Sequence, residues 1–245
     1  MFTAAELQKM VFFDLETASN YSSLSELRLA DPNMAKLWEK RCEYLRSRFE
    51  ENKELSDDEL YLEKAALSPE FNRLVCASFG RLTINEIESN LIIKSYASEN
   101  ESDILDGIHK VFTNFASQKF CGHNIKRFDV PVMCKRLLIS GRTLPKGLLI
   151  HNLKPWEMPF VDSSELWSFG AWQEGFSSLE LLSTVLGFDS SKDDIRGDEV
   201  TKVFWQDKDL ARITKYCEKD VLSVTQILLK LSNLPLVEDY QLQKS

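Results

Sequence analysis

Residues 9–17 read KMVFFDLET, an apolar run that ends in two acids spaced two apart, Asp14 and Glu16. So short a run, carrying Val11, Phe12 and Phe13, reads as a buried strand. Alternate side chains of a strand leave the same face, so Asp14 and Glu16 point together. Two carboxylates at the end of a buried strand repel each other and lose water, which is costly unless something cationic offsets them. A hard divalent cation such as Mg²⁺ or Mn²⁺ prefers oxygen ligands and is the simplest such partner. Taken alone, the pair also fits two exposed acids at a strand end.

Working outward, residues 74–82 (LVCASFGRL) and 90–97 (NLIIKSYA) read as two further strands. The polar stretch between them is too short for a helix, which predicts an antiparallel connection. Helical spacing of Ile104, Leu105, Ile108, Val111, Phe112 and Phe115 predicts a helix over 103–116, with Asp103 as its cap. A fourth strand is expected at 119–123, a helix at 129–140 stopped by Gly141, and a fifth strand at 159–166. Helices are expected at about 178–186, 198–205 and 207–232, with a short polar tail after Pro235. Strands that come first as a meander and then alternate with helices predict an α/β fold, a mixed sheet covered on both faces.

Residues 18–73 interrupt the first connection. Sixteen of the thirty residues from Ala35 to Lys64 are charged, seven of them basic and nine acidic, so this is not a basic clamp. Leu37, Trp38, Tyr44, Leu45 and Phe49 form one apolar stripe, which predicts an inserted amphipathic helix or helical pair. The whole chain, 1–245, is expected to be one domain with this insertion inside it.

Composition excludes several classes. With 43% hydrophobic and 28% charged residues the chain is ordinary globular protein. No apolar run approaches the roughly 20 residues of a membrane span, and MFTAAELQKM lacks the pattern of a secretory signal. Five cysteines, odd in number and without CxxC spacing, argue against zinc or a disulfide framework and for small buried hydrophobes in a reducing, cytoplasmic setting. A net charge of −8 disfavours non-specific duplex binding. Between Lys119 and Lys154, however, eight Lys or Arg face one acid, Asp129. That segment suits a polyanion held at one place, or else solvated surface charge.

Two more stretches carry chemistry. Residues 122–131, GHNIKRFDVP, place Gly122 and Asn124 in a tight turn and Asp129 at a helix start, where an acid serves equally as a cap or as a metal ligand. Residues 216–220, YCEKD, place Tyr216 and Asp220 one turn apart on one face of the last helix, a face it shares with Ile213 and Val224.

Together these give the order Asp-x-Glu on a strand, Asn-x-x-x-Phe-Asp at a helix start and Tyr-x-x-x-Asp on a late helix. The pattern resembles the DEDD exonucleases of the Tyr subclass, above all the proofreading exonuclease domain of family-B DNA polymerases and its stand-alone relatives. It runs from Val11 to about Leu231, and the segments EVTKVFW and SLELLSTVLGF are similar too. The resemblance implies a ribonuclease H-like fold, with a five-stranded mixed sheet and helices on both sides, here with the helical insertion after the first strand. It implies that Asp14, Glu16, Asp129 and Asp220 hold two Mg²⁺ or Mn²⁺ ions and that Tyr216 orients the attacking water. The sister subclass carries His where this chain has Lys215. The implied activity is 3′→5′ release of nucleoside 5′-monophosphates from single-stranded DNA ends. The alternatives are an exoribonuclease trimming RNA 3′ ends and a non-catalytic ribonuclease H-like nucleic-acid-binding module.

Around these residues, Asn124 and Phe128 are candidates to touch sugar or base, though Phe128 also suits the core. Thr17, Lys126 and Arg127 flank the acids, within reach of phosphate or else as solvated surface. His123 reads as structural, and Asp162 as a group supporting the site from behind. Trp156, Trp167, Trp172 and Trp205 read as core or loop packing.

Overall fold

The first strand is buried on both faces because it lies in the middle of the sheet. In the computed structural model, which describes residues 1–85, 87–171, 177–188 and 194–242, β1 (Met10–Ser19) is flanked by β2 (Asn72–Ile84) and β4 (Lys119–Gly122). The strand order is β5-β4-β1-β2-β3-β6, with β3 at Ser89–Ala97, β5 at Phe160–Asp162 and β6 at Val237–Leu242. β1–β2 and β2–β3 are antiparallel, while β1–β4, β4–β5 and β3–β6 are parallel. This is the expected meander followed by crossovers, with one strand more.

Alternation along β1 sorts its side chains between two cores. Val11, Phe13 and Leu15 face α5 (Glu101–Asn114) and α6 (Asp129–Ile139), where Phe112 and Phe120 stack with centroids 4.1 Å apart. Met10 and Phe12 face α10 (Leu210–Leu231), alongside Val221, Val224 and Leu228. By the same alternation Asp14 and Glu16 take the α10 side. At the end of β4, a Cβ on Gly122 would stand 2.8 Å from the Phe13 carbonyl oxygen. Only glycine lets the two strands approach so closely there.

A short helix, α1 (Ala4–Leu7), precedes β1, and the insertion forms α2 (Leu24–Ala30), α3 (Pro32–Arg48) and α4 (Asp57–Lys64), three helices rather than one or two. Its buried stripe is Ala35, Trp38, Cys42 and Leu45, spaced by three and four. Leu37, Tyr44 and Phe49 are exposed instead, because Tyr61 and Phe71 pack edge-on against Trp38 and fix which side of α3 faces inward.

Other elements differ in detail from the expectation. Asn100, not Asp103, caps α5 by accepting from the Ser102 amide. The fifth strand stops at Asp162, whose carboxylate caps α7 (Ser163–Ser168), and α8 (Leu179–Leu186) follows where a helix is expected. The 198–205 helix is a single α-turn, α9 (Val200–Lys202), followed by a π-turn over Val203–Asp207. Part of the expected polar tail is β6, clasped where Gln226 exchanges two hydrogen bonds with Val237 (2.6 and 3.0 Å). Gly141, with φ +76°, ends α6 as expected. Among the described residues no helix is long and apolar enough to cross a membrane.

Candidate metal centre and active site

Three elements deliver four acids and a phenol to one place. β1 brings Asp14 and Glu16, opposite Ser78 and Cys76 of β2, with a bulge directly after Glu16. α6 brings Asp129 at its first residue. Its cap position is Phe128, whose side chain makes no capping bond, so the Asp129 carboxylate is not consumed as a cap. α10 brings Tyr216 and Asp220 on the stripe that also buries Ile213, Cys217, Val221 and Val224. Glu16, Asp129 and Asp220 are 6%, 4% and 8% exposed, and Asp14 is half-buried.

The carboxylates feel one another. Burial, then the charges of Asp220 and Asp129, holds Asp14 well above the usual carboxylate range. Burial, then Asp14 and Asp220, does the same to Glu16. Asp129 is pushed up to about 7: burial dominates, Asp162 and Asp220 add to it, and the amides of Asp129 and Leu15 oppose it. Asp14 Oδ2 is buried without a hydrogen-bond partner among the described residues. Oxygen donors, mutual repulsion and an orphaned carboxylate oxygen fit a hard divalent cation.

Cys217 belongs to the same cluster. Single ligand atoms of Asp14, Glu16 and Cys217 lie within 4.8 Å of one another, and the thiol donates to the Asp14 carbonyl oxygen at 3.3 Å. Nothing in the sequence distinguishes this cysteine from the other buried ones. Cys42, Cys76 and Cys121 are buried, Cys134 is half-buried, and all five are free thiols.

Tyr216 is packed among Ala18, Val75, Val200 and Phe204, with its hydroxyl hydrogen-bonded to Asp220. Burial first, then the charges of Asp220, Glu16 and Asp14, drives the phenol far above its ordinary range. It stays protonated at neutral pH and is a hydrogen-bond group rather than a base. A Cβ on Gly197 would stand 3.9 Å from the Tyr216 oxygen, which places the 196–199 turn against the site.

Behind Asp129 the chain turns at Asn124, in the left-handed region at φ +59°, which Asn tolerates better than most residues. Buried Asp162 fastens this turn: its carboxylate accepts from the Asn124 amide (2.8 Å), the Lys126 amide (3.1 Å) and the Ser164 hydroxyl (2.7 Å). His123 is built into the scaffold. It donates from Nε2 to the Ser177 carbonyl oxygen and bonds the Ser163 hydroxyl through Nδ1, while burial lowers its pKa.

The flanking residues are placed unevenly. Thr17 is buried and donates its hydroxyl to the Ala66 carbonyl (2.9 Å), so that group is engaged within the protein rather than turned to a phosphate. The Lys126 ammonium pairs with Glu165 at 2.6 Å. Phe128 is half-buried against the α5–α6 core, and Arg127 is exposed. The bases of segment 119–154 are in large part paired. Lys135 pairs with Glu70, Arg136 with Glu101 and Arg142 with Asp106, so much of its charge is neutralised by acids distant in sequence. Trp167 and Trp205 are partly buried, as expected. Trp156 is exposed with Lys154 over its ring, because its short turn lies outside both cores. Trp172 lies outside the described residues.

Comparison with known proteins narrows the assignment. No curated protein matches the sequence. In fold the chain is similar to the family B DNA polymerase from the hyperthermophilic archaeon Pyrobaculum calidifontis, with a TM-score of 0.54 and 13% identity over 91% of this chain. The matched region is 24% of that polymerase, so this chain spans about a quarter of its length. Such a likeness establishes the mixed-sheet, ribonuclease H-like fold. A family model described as "Predicted 3'-5' exonuclease related to the exonuclease domain of PolB" matches residues 67–235. The match includes Asp129, Tyr216 and Asp220, whereas Asp14 and Glu16 precede it. Spanning well over half of the chain, it shows that the protein belongs to this family of 3′→5′ exonucleases related to the exonuclease domain of PolB.

Proposed function

We propose that the chain is a metal-dependent 3′→5′ exonuclease that releases nucleoside 5′-monophosphates from single-stranded DNA, acting as one unit with the 18–73 insertion as part of it. The observation that carries the reading is the convergence of Asp14, Glu16, Asp129 and Asp220 from β1, α6 and α10. At least three of these acids are raised together by burial and one another's charge. A cluster that is repulsive as it stands is one that a cation completes.

Asp14, Glu16, Asp129 and Asp220 would hold the Mg²⁺ or Mn²⁺ ions, two by this reading. Bound there, such ions acidify water and offset the charge of the scissile phosphate and the leaving 3′-oxygen. The chain's own part is positioning. Protonated Tyr216, held by Asp220, presents a hydroxyl that orients water. Asp162 holds the Asn124–Phe128 turn in place, so that Asn124 and Phe128 face the terminal nucleotide and Arg127 stands near its phosphate. The Cys217 thiol ties α10 to the Asp14 peptide and keeps helix and strand in register.

The test is digestion of 5′-labelled single-stranded DNA and RNA in parallel, with Mg²⁺, with Mn²⁺ and with EDTA. The expected result is a ladder shortening from the 3′ end of DNA, lost in EDTA and restored by either metal. Equal cleavage in EDTA would refute the metal-centred reading, and preference for RNA would refute the substrate assignment.

A further inference from the structure

The end of β1 that carries Asp14 and Glu16 also anchors both walls of a cleft. One wall belongs to the insertion. Thr17 donates to the Ala66 carbonyl oxygen and Asn72 Nδ2 donates to the same oxygen at 2.8 Å, which fixes the 65–67 turn and, just before it, Lys64 at the end of α4. The other wall belongs to α9 and the π-turn. The Ser19 amide donates to Thr201 Oγ1 (3.3 Å), and the Trp205 indole donates to the Ser19 carbonyl oxygen (3.0 Å). Between them lies a cavity of about 480 Å³ lined by Ser22, Lys64, Thr201, Lys202 and Trp205 among others. The 196–199 turn, placed against Tyr216, leads directly into the α9 wall.

The charge and aromatic content of this cleft suit a nucleic-acid strand. Two acids line it: Asp198 pairs with Arg196 at 2.9 Å, and Glu63 lies 3.6 Å from Lys64, so Lys64 is spent on its neighbour. Lys202 and Lys208 are exposed beside it, and the Lys208 ammonium lies 4.8 Å from the Trp205 ring centroid, with the Arg73 guanidinium at 5.7 Å. An indole pinned by its own N–H, with two cations over its ring, puts an aromatic group in a basic setting, the combination that holds single strands without reading sequence. The insertion supplying one wall lies almost wholly outside the region matched by the exonuclease family model, which starts at residue 67.

We infer that this cleft, between α4 of the insertion and the α9–π-turn segment, binds the single-stranded backbone one or more nucleotides behind the 3′ end held at the acid cluster. The inference rests on the exonuclease reading and gives the insertion a task within it. Lys202 and Lys208 meet phosphates and Trp205 meets a base. A four-carboxylate site repels a polyanion, and this cleft offsets that repulsion on the path toward it.

The test is fluorescence anisotropy with a labelled oligothymidylate 12-mer and trimer in EDTA, across a salt series. Parental protein, Lys202→Glu/Lys208→Glu and Trp205→Ala are compared. The charge reversals should weaken 12-mer binding at least ten-fold and flatten its salt dependence by about 0.7 per lost phosphate contact. Trimer binding should change much less, so the preference for the longer strand collapses. Trp205→Ala should also cost about ten-fold, and Trp205→Phe should recover part of it. Should Trp205→Ala melt early through loss of its bond to Ser19, the exposed lysines carry the test alone. Parental affinity and salt slope in the double reversal, in a protein whose parent binds and shortens the 12-mer, would overturn the cleft and leave the exonuclease reading standing. A parent inert toward both DNA and RNA would overturn the exonuclease reading, and the cleft with it.

Discussion

Asp129→Asn tests the acid cluster through stability rather than activity. The substitution keeps the shape of the side chain and removes its charge. Burial and neighbouring acids move this carboxyl from an ordinary 3.8 to about 7. At 1.36 kcal/mol per pH unit that corresponds to about 4 kcal/mol, an upper bound because neighbouring acids share the titration. A raised carboxyl pKa means that the folded protein binds the proton more tightly than the unfolded chain does. Its stability contribution is therefore complete below pH ~4 and is lost as pH rises toward about 7. Metal-free parental protein should lose melting temperature across that window, and Asp129→Asn should lose less, the remainder coming from Asp14 and Glu16. At neutral pH in EDTA the variant should melt higher, by up to roughly 8–16 °C at 2–4 °C per kcal/mol for a chain of this size. Adding Mg²⁺ or Mn²⁺ should stabilise the parent and barely move the variant. The assay is thermal melting followed by circular dichroism from pH 4 to 8, with EDTA and with metal. Equal melting and equal pH slopes for both proteins in EDTA would refute the repulsive cluster.

Three further outcomes are expected. Tyr216→Phe should cut single-turnover cleavage about ten- to a thousand-fold with nearly parental melting, since it removes one hydrogen bond at the reacting centre; a parental rate would reduce Tyr216 to packing. Asp14→Ala and Asp220→Ala should each abolish most nucleotide release in saturating Mg²⁺ without lowering the metal-free melting temperature; a parental rate in either would refute the ligand set. Products resolved by chromatography should be 5′-monophosphates released from linear strands, and closed circular single-stranded DNA should stay intact.

The legible parts of this molecule are those whose signal is local. The strand holding Asp14 and Glu16, the helix beginning at Asp129 and the stripe carrying Tyr216 and Asp220 each follow from a period of 2 or 3.6 read over a dozen residues. What the sequence hides depends on partners far along the chain. β6 reads as a polar tail because its pairing with β3 and its Gln226 clasp join elements that no periodicity relates. The bases of 119–154 read as a possible polyanion surface, yet Arg136 is consumed by Glu101 and Lys135 by Glu70, partners 35 and 65 residues away. Leu37 and Tyr44 fit the amphipathic pattern of α3 as well as Trp38 does. Only the location of Tyr61 and Phe71 decides which of them is buried. Cys217 was invisible as part of the site because a thiol on an apolar stripe is a small hydrophobe until a strand carbonyl and two carboxylates appear beside it.

The same hydrophobic patterning that makes the fold also aims the chemistry. On β1, Phe12 is buried against α10, and the next two side chains on that face are Asp14 and Glu16. On α10, Ile213, Cys217, Val221 and Val224 lie on the buried stripe, and Tyr216 and Asp220 interrupt it opposite those acids. The site therefore lies where two apolar stripes turn polar while still facing each other, and the protein cannot turn these acids to water without unpacking the strand and helix that hold them. A cation bound there relieves the repulsion, so its binding energy is also folding energy. Substitutions that quiet the repulsion should stabilise the metal-free fold and weaken metal affinity together, because one set of charges sets both.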